Sequence, residues 1–236
     1  MIGCKIYKKK ICVNSLDWAR ENIKTAPHGA VFLSDTHEVA RGRDGRLWQQ
    51  YPGQLLVTVL LKPGFGSLTN LNMALTLGIL QPLKKYGVGL KWPNDFILNN
   101  KKVGGMILES VWSGDELEGV ILGFGLNVNN VFDSKDELSK IATSLVAHTK
   151  KQIDIEDLRK KLLVSLNVYC DKEVYKEWKS NQIYLNKKIT VHKKDGTVVC
   201  GIAKDFLPNG DLVLCAGEKE EIIPFYVVTS VTSVPK

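Results

Sequence analysis

Three guanidinium groups fall within six residues in the run Arg41, Gly42, Arg43, Asp44, Gly45, Arg46. A guanidinium donates in a planar fork that matches the paired oxygens of phosphate or carboxylate, and the glycines let the backbone approach a ligand or take positive φ. The chemistry this suits is the gripping of an oxyanion. The same spacing would also serve a solvated basic turn or an RNA-contacting loop. Trp48, just downstream, offers either an aromatic face or a core side chain. In a second stretch, Lys91-Trp-Pro-Asn-Asp95, a stiff Trp-Pro turn holds an ammonium where it could meet a carboxylate or a developing phosphoryl charge. Asn94 and Asp95 could bind a metal or cap the turn. A third, Lys102 to Glu109, carries Gly104 and Gly105 inside a strand, where they permit close backbone approach or a bulge. The fourth, Gly123 to Asn129, lacks the third glycine of a dinucleotide fingerprint and ends a strand-like run, so a Rossmann reading fails.

Something must hold these stretches together. Val31 to Asp35 and Leu55 to Leu61 read as buried strands on either side of the arginine loop. Ser67 or Thr69 caps a helix whose apolar residues recur at helical spacing as far as Tyr86 and Gly87. Gly89 to Trp92 reads as a strand, Phe96 to Leu98 with Val103 to Glu109 as a hairpin, and Val120 to Leu122 as a further strand, giving a mainly antiparallel sheet. Asp154 opens a helix from Ile155 to about Trp178. Beyond it the pattern changes to short strands, Ile189 to His192, Val198 to Ala203, Leu212 to Leu214 and Ile222 to Val227, separated by turn residues as in a small barrel.

The 236 residues, 44% hydrophobic and 24% charged, have ordinary globular composition, which excludes global disorder. No apolar run approaches a membrane span, and lysines stand where a signal peptide would need its apolar segment, so a cytoplasmic protein is expected. Five scattered cysteines without a CxxC pair support neither a disulfide framework nor a structural zinc site. The net charge of +7 points to anionic partners. Three of the five arginines lie in one loop while the lysines are spread along the chain, so the arginines carry the signal.

Arg41 to Trp48, Lys91 to Asp95, Gly104 and Gly105 with Ile107 to Glu109, Gly123 to Asn129, and Ala142-Thr-Ser-Leu145 occur in an order and spacing that resemble the biotin protein ligases. Lys187 to Val231 is similar to that family's small C-terminal barrel. The resemblance implies an α+β protein: a catalytic domain like that of class II aminoacyl-tRNA synthetases, with a mixed, mainly antiparallel sheet flanked by helices, in residues 1–183, and an SH3-like barrel in residues 184–236. It implies an enzyme that activates biotin with ATP and Mg2+ to biotinyl-5'-AMP, then transfers biotin to a lysine of the carrier domain of a biotin-dependent carboxylase. Such chemistry gathers negative charge and needs fixed cations and amide donors more than a nucleophile of the protein's own.

Carried across position by position, the resemblance implies Arg43 and Lys91 as the catalytic pair, Arg43 holding the acyl-adenylate and Lys91 meeting the biotin carboxyl end and the α-phosphate. Asn14, Ser15, His37, Arg41, Gly42 and Gly105 join them around biotin. Gly45, Arg46, Trp48, Asn94 and Asn127 join Arg43 around ATP, and Asp95 is the metal candidate. Asn14 and Ser15 stand where the family has two hydroxyls, His37 where it has glutamine, and Ala40 where it has glycine. Relatives that repress transcription carry an N-terminal DNA-binding domain; here Asn14 comes so early that no operator binding is expected. A lipoate or octanoyl transferase and a non-enzymatic RNA-binding module are the competing readings, and pairing of two chains through a sheet edge is left open. Residues 187–236 lack the aromatic-rich basic stripe that single strands stack on.

Overall fold

Leu55 to Leu61 is apolar at nearly every position, so a strand built from it needs cover on both faces. In the computed structural model, which describes residues 1–233, this run lies inside a seven-stranded sheet. The last three residues of the expected C-terminal unit, 234–236, fall outside the described part. The strands are β1 (Ile6–Cys12), β2 (Ala30–His37), β3 (Gln54–Leu61), β4 (Gly89–Lys91), β5 (Asp95–Leu98), β6 (Lys101–Ser113) and β7 (Glu116–Asn127). Their order is β1-β2-β3-β7-β6-β5-β4, antiparallel except for the parallel pair β1 and β2. A parallel step needs a crossover, and helix α1 (Ser15–Glu21) lies in it.

One face of the sheet is covered by α1, where Leu16 and Ala19 pack with Phe32, Leu60 and Ile121. The other is covered by helix α2 (Leu68–Leu80), which is buried almost all round between the sheet and helix α5 (Ile155–Tyr169). The two helices approach closely at Gly78, where a Cβ would lie 3.0 Å from the Cα of Leu166. The short helices α3 (Leu138–Ile141) and α4 (Leu145–Thr149) follow β7.

Two helix boundaries differ from the sequence expectation. The helix opening at Ser67 stops being α-helical at Leu80, and Gln81–Tyr86 tightens into a 3-10 stretch ending at Gly87, whose φ is 80°. Pro82 lacks the N–H that would continue the ladder. The helix expected to run from Ile155 to Trp178 breaks after Tyr169, and helix α6 (Tyr175–Ser180) starts anew. The intervening Asp171, Lys172 and Glu173 have nothing apolar to bury, and the Asn70 side chain on α2 donates to the Lys172 carbonyl at 2.8 Å. The break turns Trp178 edge-on to Phe206, with ring centroids 5.7 Å apart.

Phe206 belongs to the second sheet: β8 (Lys188–Lys193), β9 (Val198–Phe206), β10 (Leu212–Ala216), β11 (Lys219–Ile223) and β12 (Val228–Ser233), all antiparallel in the order β11-β10-β9-β8-β12. Ile189, Val191, Ala203, Leu212, Leu214 and Val228 fill its interior, as an SH3-like module requires. The strand expected at Ile222–Val227 is instead the end of β11, a 3-10 turn at Phe225–Val227, and then β12. Pro224, which cannot donate to a ladder, marks the division. Trp92 ties the sheets together, its Nε1 donating to the Gly210 carbonyl at 2.8 Å.

Candidate functional site

Strand register builds the floor of a cavity. Lys91 on β4 pairs with Asp95 on β5, Asp95 with Gly105 on β6, Gly105 with Gly125 on β7, and Gly125 with Leu56 on β3. Paired residues share a face, so residues from five strands form one row across the sheet. Two positions along, Ile107, Gly123 and Thr58 make a parallel row. Both rows line a cavity of about 240 Å³. The glycines keep it deep: a Cβ on Gly125 would lie 2.9 Å from the Trp48 ring.

The arginine loop forms one wall. Trp48 N–H donates to the Ala40 carbonyl at 2.8 Å and Gly42 N–H to the Arg46 carbonyl at 2.7 Å, closing a small hairpin. Its tip, Asp44 and Gly45, has φ of 58° and 71°, the two positive values that an Asp-Gly turn of this kind demands. Gly42, expected to share that role, is extended at φ −101°. Arg41 pairs with Asp17 at 2.5 Å, and Arg43 Nη2 donates to the Val228 carbonyl at 2.5 Å. Burial lowers the Arg43 pKa from its ordinary value, opposed by Asp44 and Asp95.

Lys91 and Lys102 face Asp95 at 3.8 and 2.6 Å, and Lys102 also lies 5.7 Å from the centre of the Trp48 ring. Burial pulls the Lys91 ammonium down from its ordinary value, with Asp95 opposing and Lys102 adding to the fall. Five cations, Arg41, Arg43, Arg46, Lys91 and Lys102, therefore line a cavity with one carboxylate, Asp95. A multiply charged anion is the partner such a field attracts. The lone carboxylate is already occupied by two ammonium groups, and among the described residues no group of three or more His, Cys, Asp or Glu is disposed to hold a metal ion. The donor set therefore does not fit a protein-held divalent cation.

His37 also lines the cavity and is buried with neither ring nitrogen hydrogen-bonded. Burial lowers its pKa, with Gln50 partly offsetting the fall, so near neutral pH it presents one donor and one acceptor. Ser15 Oγ lies 2.7 Å from Thr58 Oγ1. Asn14 is committed to structure: its Oδ1 caps α1 by accepting from Leu16 N–H at 2.8 Å and its Nδ2 donates to the Val39 carbonyl at 2.9 Å. Trp48 Nε1 is buried without a partner.

Of the residues picked from the sequence, Asn14, Ser15, His37, Arg41, Gly42, Arg43, Arg46, Trp48, Lys91, Asn94, Asp95 and Gly105 share this cavity. Asn94 also braces β6, its Nδ2 donating to the Met106 carbonyl at 2.7 Å. Gly45 and Asn127 lie outside it. Gly45 lines a second cavity, of about 630 Å³, which shares Arg41 to Arg43 and Trp92 to Asn94 with the first. Asn127 is buried with Oδ1 accepting from Gln54 at 2.9 Å. Sequence reasoning passed over Lys102, Thr58 and the barrel residues Thr229 to Val231, all of which line the first cavity. Thr58 had a signal, a lone hydroxyl in an apolar strand; Thr229 had none.

The model of the biotin/lipoate A/B protein ligase family matches residues 11–127. The bifunctional ligase/repressor BirA of Bacillus subtilis is 32% identical over 136 residues, covering 55% of this chain and 42% of that protein. A biotin–(acetyl-CoA-carboxylase) ligase of Paracoccus denitrificans is 33% identical over 124 residues, covering 48% and 52%. The chain thus spans about half the length of these relatives or less. The solved biotin protein ligase from Aquifex aeolicus in complex with biotin and ATP superposes with a TM-score of 0.83 over 98% of this chain and all of that one, at 24% identity, which establishes the shared fold. Among the described residues no helix is long and apolar enough to cross a membrane.

Proposed function

We propose that the chain, whose residues 11–127 match the model of the biotin/lipoate A/B protein ligase family, activates biotin with ATP and transfers it to a lysine of a carboxylase carrier domain. The observation that carries this reading is the convergence of Arg43, Lys91 and Lys102 on one cavity with an apolar and glycine floor. In the first step a carboxylate oxygen of biotin attacks the α-phosphorus of ATP, and the bond to the bridging oxygen breaks as pyrophosphate leaves. Negative charge gathers on the phosphoryl oxygens, where fixed ammonium and guanidinium groups stabilise it without reorganising. Lys91, largely buried beside Asp95, meets the reacting carboxylate and α-phosphate, while Arg43 retains the adenylate. In the second step the acceptor amine attacks the mixed-anhydride carbonyl and AMP departs.

In the same cavity, His37 and Ser15 supply the donor and acceptor pair that the ureido ring of biotin needs. Arg46, Trp48 and Asn94 shape the nucleotide side. Magnesium finds no fitting protein donors, so a cation would have to arrive on the triphosphate. We place the catalytic unit in residues 1–183, the barrel in 184–236, and the reaction in the cytoplasm, where ATP is supplied.

The test is to incubate the purified chain with ATP, magnesium, biotin and a biotin carrier domain. The expected outcome is pyrophosphate release followed by a biotinyl mass increase on one carrier lysine. Adenylate formed from lipoate but not from biotin would shift the assignment within the family, and no pyrophosphate with either acid would overturn it.

A further inference from the structure

Building on that reading, we infer that the C-terminal barrel positions the arginine loop for its ligand, with Lys194 and the bulged start of β12 as the positioning groups. Arg43 Nη2 donates to the carbonyl oxygens of Val228 at 2.5 Å and Thr229 at 3.4 Å. Asp44, at the tip of the loop, pairs with Lys194 Nζ at 2.7 Å and lies 3.5 Å from Arg43 Nε.

The barrel can offer these groups because of how β12 meets β8. Pairing runs from Ser233 opposite Ile189 to Ser230 opposite His192, then slips, so that Val228 faces Lys193 and Thr229 is left over. Such a bulge re-aims the backbone. Thr229 Oγ1 donates to the His192 carbonyl at 2.9 Å, while the Val228 and Thr229 carbonyls accept from Arg43. Lys194 adjoins them, its N–H donating to the Val227 carbonyl at 2.8 Å. Carbonyls and ammonium are thus mounted together at one end of a rigid sheet. The loop has little of its own to hold it: Leu47 is 77% exposed, and Asp44 occupies the left-handed region that favours glycine.

A guanidinium has five N–H donors. The barrel takes Nη2 and Asp44 stands as an ion-pair partner 3.5 Å from Nε, whereas Nη1 makes no hydrogen bond among the described residues, leaving its two donors for a ligand. The carbonyls are neutral and Asp44 is shared with Lys194, so the charge on Arg43 still seeks an anion. Fixing part of the fork before binding reduces the ordering that the ligand must impose. The barrel thereby acts on retention of the adenylate through Asp44 and Arg43, besides lining the cavity with Thr229 to Val231.

The test compares Lys194→Ala, Lys194→Glu and Lys194→Arg in the full chain. Adenylate release from Lys194→Ala should be about two- to five-fold faster than from the parent, the range for a half-exposed ion pair, with KM for biotin rising alongside and kcat for adenylate formation nearly unchanged. Lys194→Glu should exceed it, Lys194→Arg should restore parental behaviour, and the thermal midpoints should agree. Tryptic cutting at Arg41, Arg43 and Arg46 of the unliganded protein, followed by mass spectrometry, should quicken in Lys194→Glu. That readout needs no catalysis, so it judges the barrel contact even if the parent forms no adenylate and the functional reading fails. Release that is unchanged or slower in Lys194→Ala and Lys194→Glu, or cutting at the parental rate in Lys194→Glu, would overturn the proposal.

Discussion

The floor of the cavity and its arginine wall hold the same kind of charge by opposite means. Lys91, Asp95, Gly105 and Gly125 sit in strands whose hydrogen-bond register leaves no freedom, above a core in which Val57, Phe96 and Leu126 are nearly sealed from solvent. The loop from Arg41 to Leu47 contributes no buried side chain and is tied by a two-residue turn, one ion pair to Asp17 and its contacts with the barrel. Groups on the floor are therefore in place before a ligand arrives, which suits stabilisation of developing charge. A loop with so few internal contacts can open locally at small cost, which suits admitting and then retaining a ligand.

The comparison breaks first at Lys91. Lys91→Ala should slow adenylate formation by about 10²- to 10³-fold, as loss of one preorganised donor does, with a single-turnover measurement deciding; an unchanged rate would remove the floor from the chemistry. Arg43→Ala should instead speed escape of the adenylate into solution by about 10- to 100-fold, from the worth of a charged hydrogen bond, while the unfolding midpoint stays put. Equal effects of the two variants on formation and on release would erase the distinction.

Ser15→Ala tests whether the floor is knitted into global stability. The change leaves Thr58 Oγ1 without its 2.7 Å partner in a buried setting, so urea denaturation should show a loss of about 1–3 kcal/mol. The smallest effect concerns His37, whose folded pKa lies below the ordinary 6.5 because burial disfavours the imidazolium. The unfolded chain binds the proton first, so this residue's contribution is intact above pH 6.5 and is lost as pH falls below it toward the folded pKa. His37→Gln should flatten that acid slope in thermal midpoints; an identical slope in parent and variant would show that the buried imidazole does not govern it.

Local signals were readable where a few neighbouring residues decide the outcome. Ser67 and Asp154 cap their helices as their types and positions suggest, and Asp44-Gly45 turns with both φ values positive. Signals failed where distant residues competed. Lys8, Lys9 and Lys10 obscured β1, an exposed edge strand, and the helix expected to reach Trp178 broke where Asn70, from another helix, took up the backbone of the connecting turn. Lys102 was visible beside its glycines, yet only its 2.6 Å pairing with Asp95 gave it a place in the site.

The amino-acid sequence by itself determined which chemical groups were at hand: clustered guanidiniums, a lysine stiffened by Trp-Pro, glycines able to clear a floor, and an apolar pattern that selects strands and helices. Tertiary structure alone decided that Leu56, Lys91, Asp95, Gly105 and Gly125 form one row, and that Val228 and Thr229 reach back to Arg43. The reason is physical. Strand register is chosen by burying the whole opposite face of the sheet, and a one-residue slip would turn every member of the row away, so its placement depends on a sum over the core that no local stretch contains.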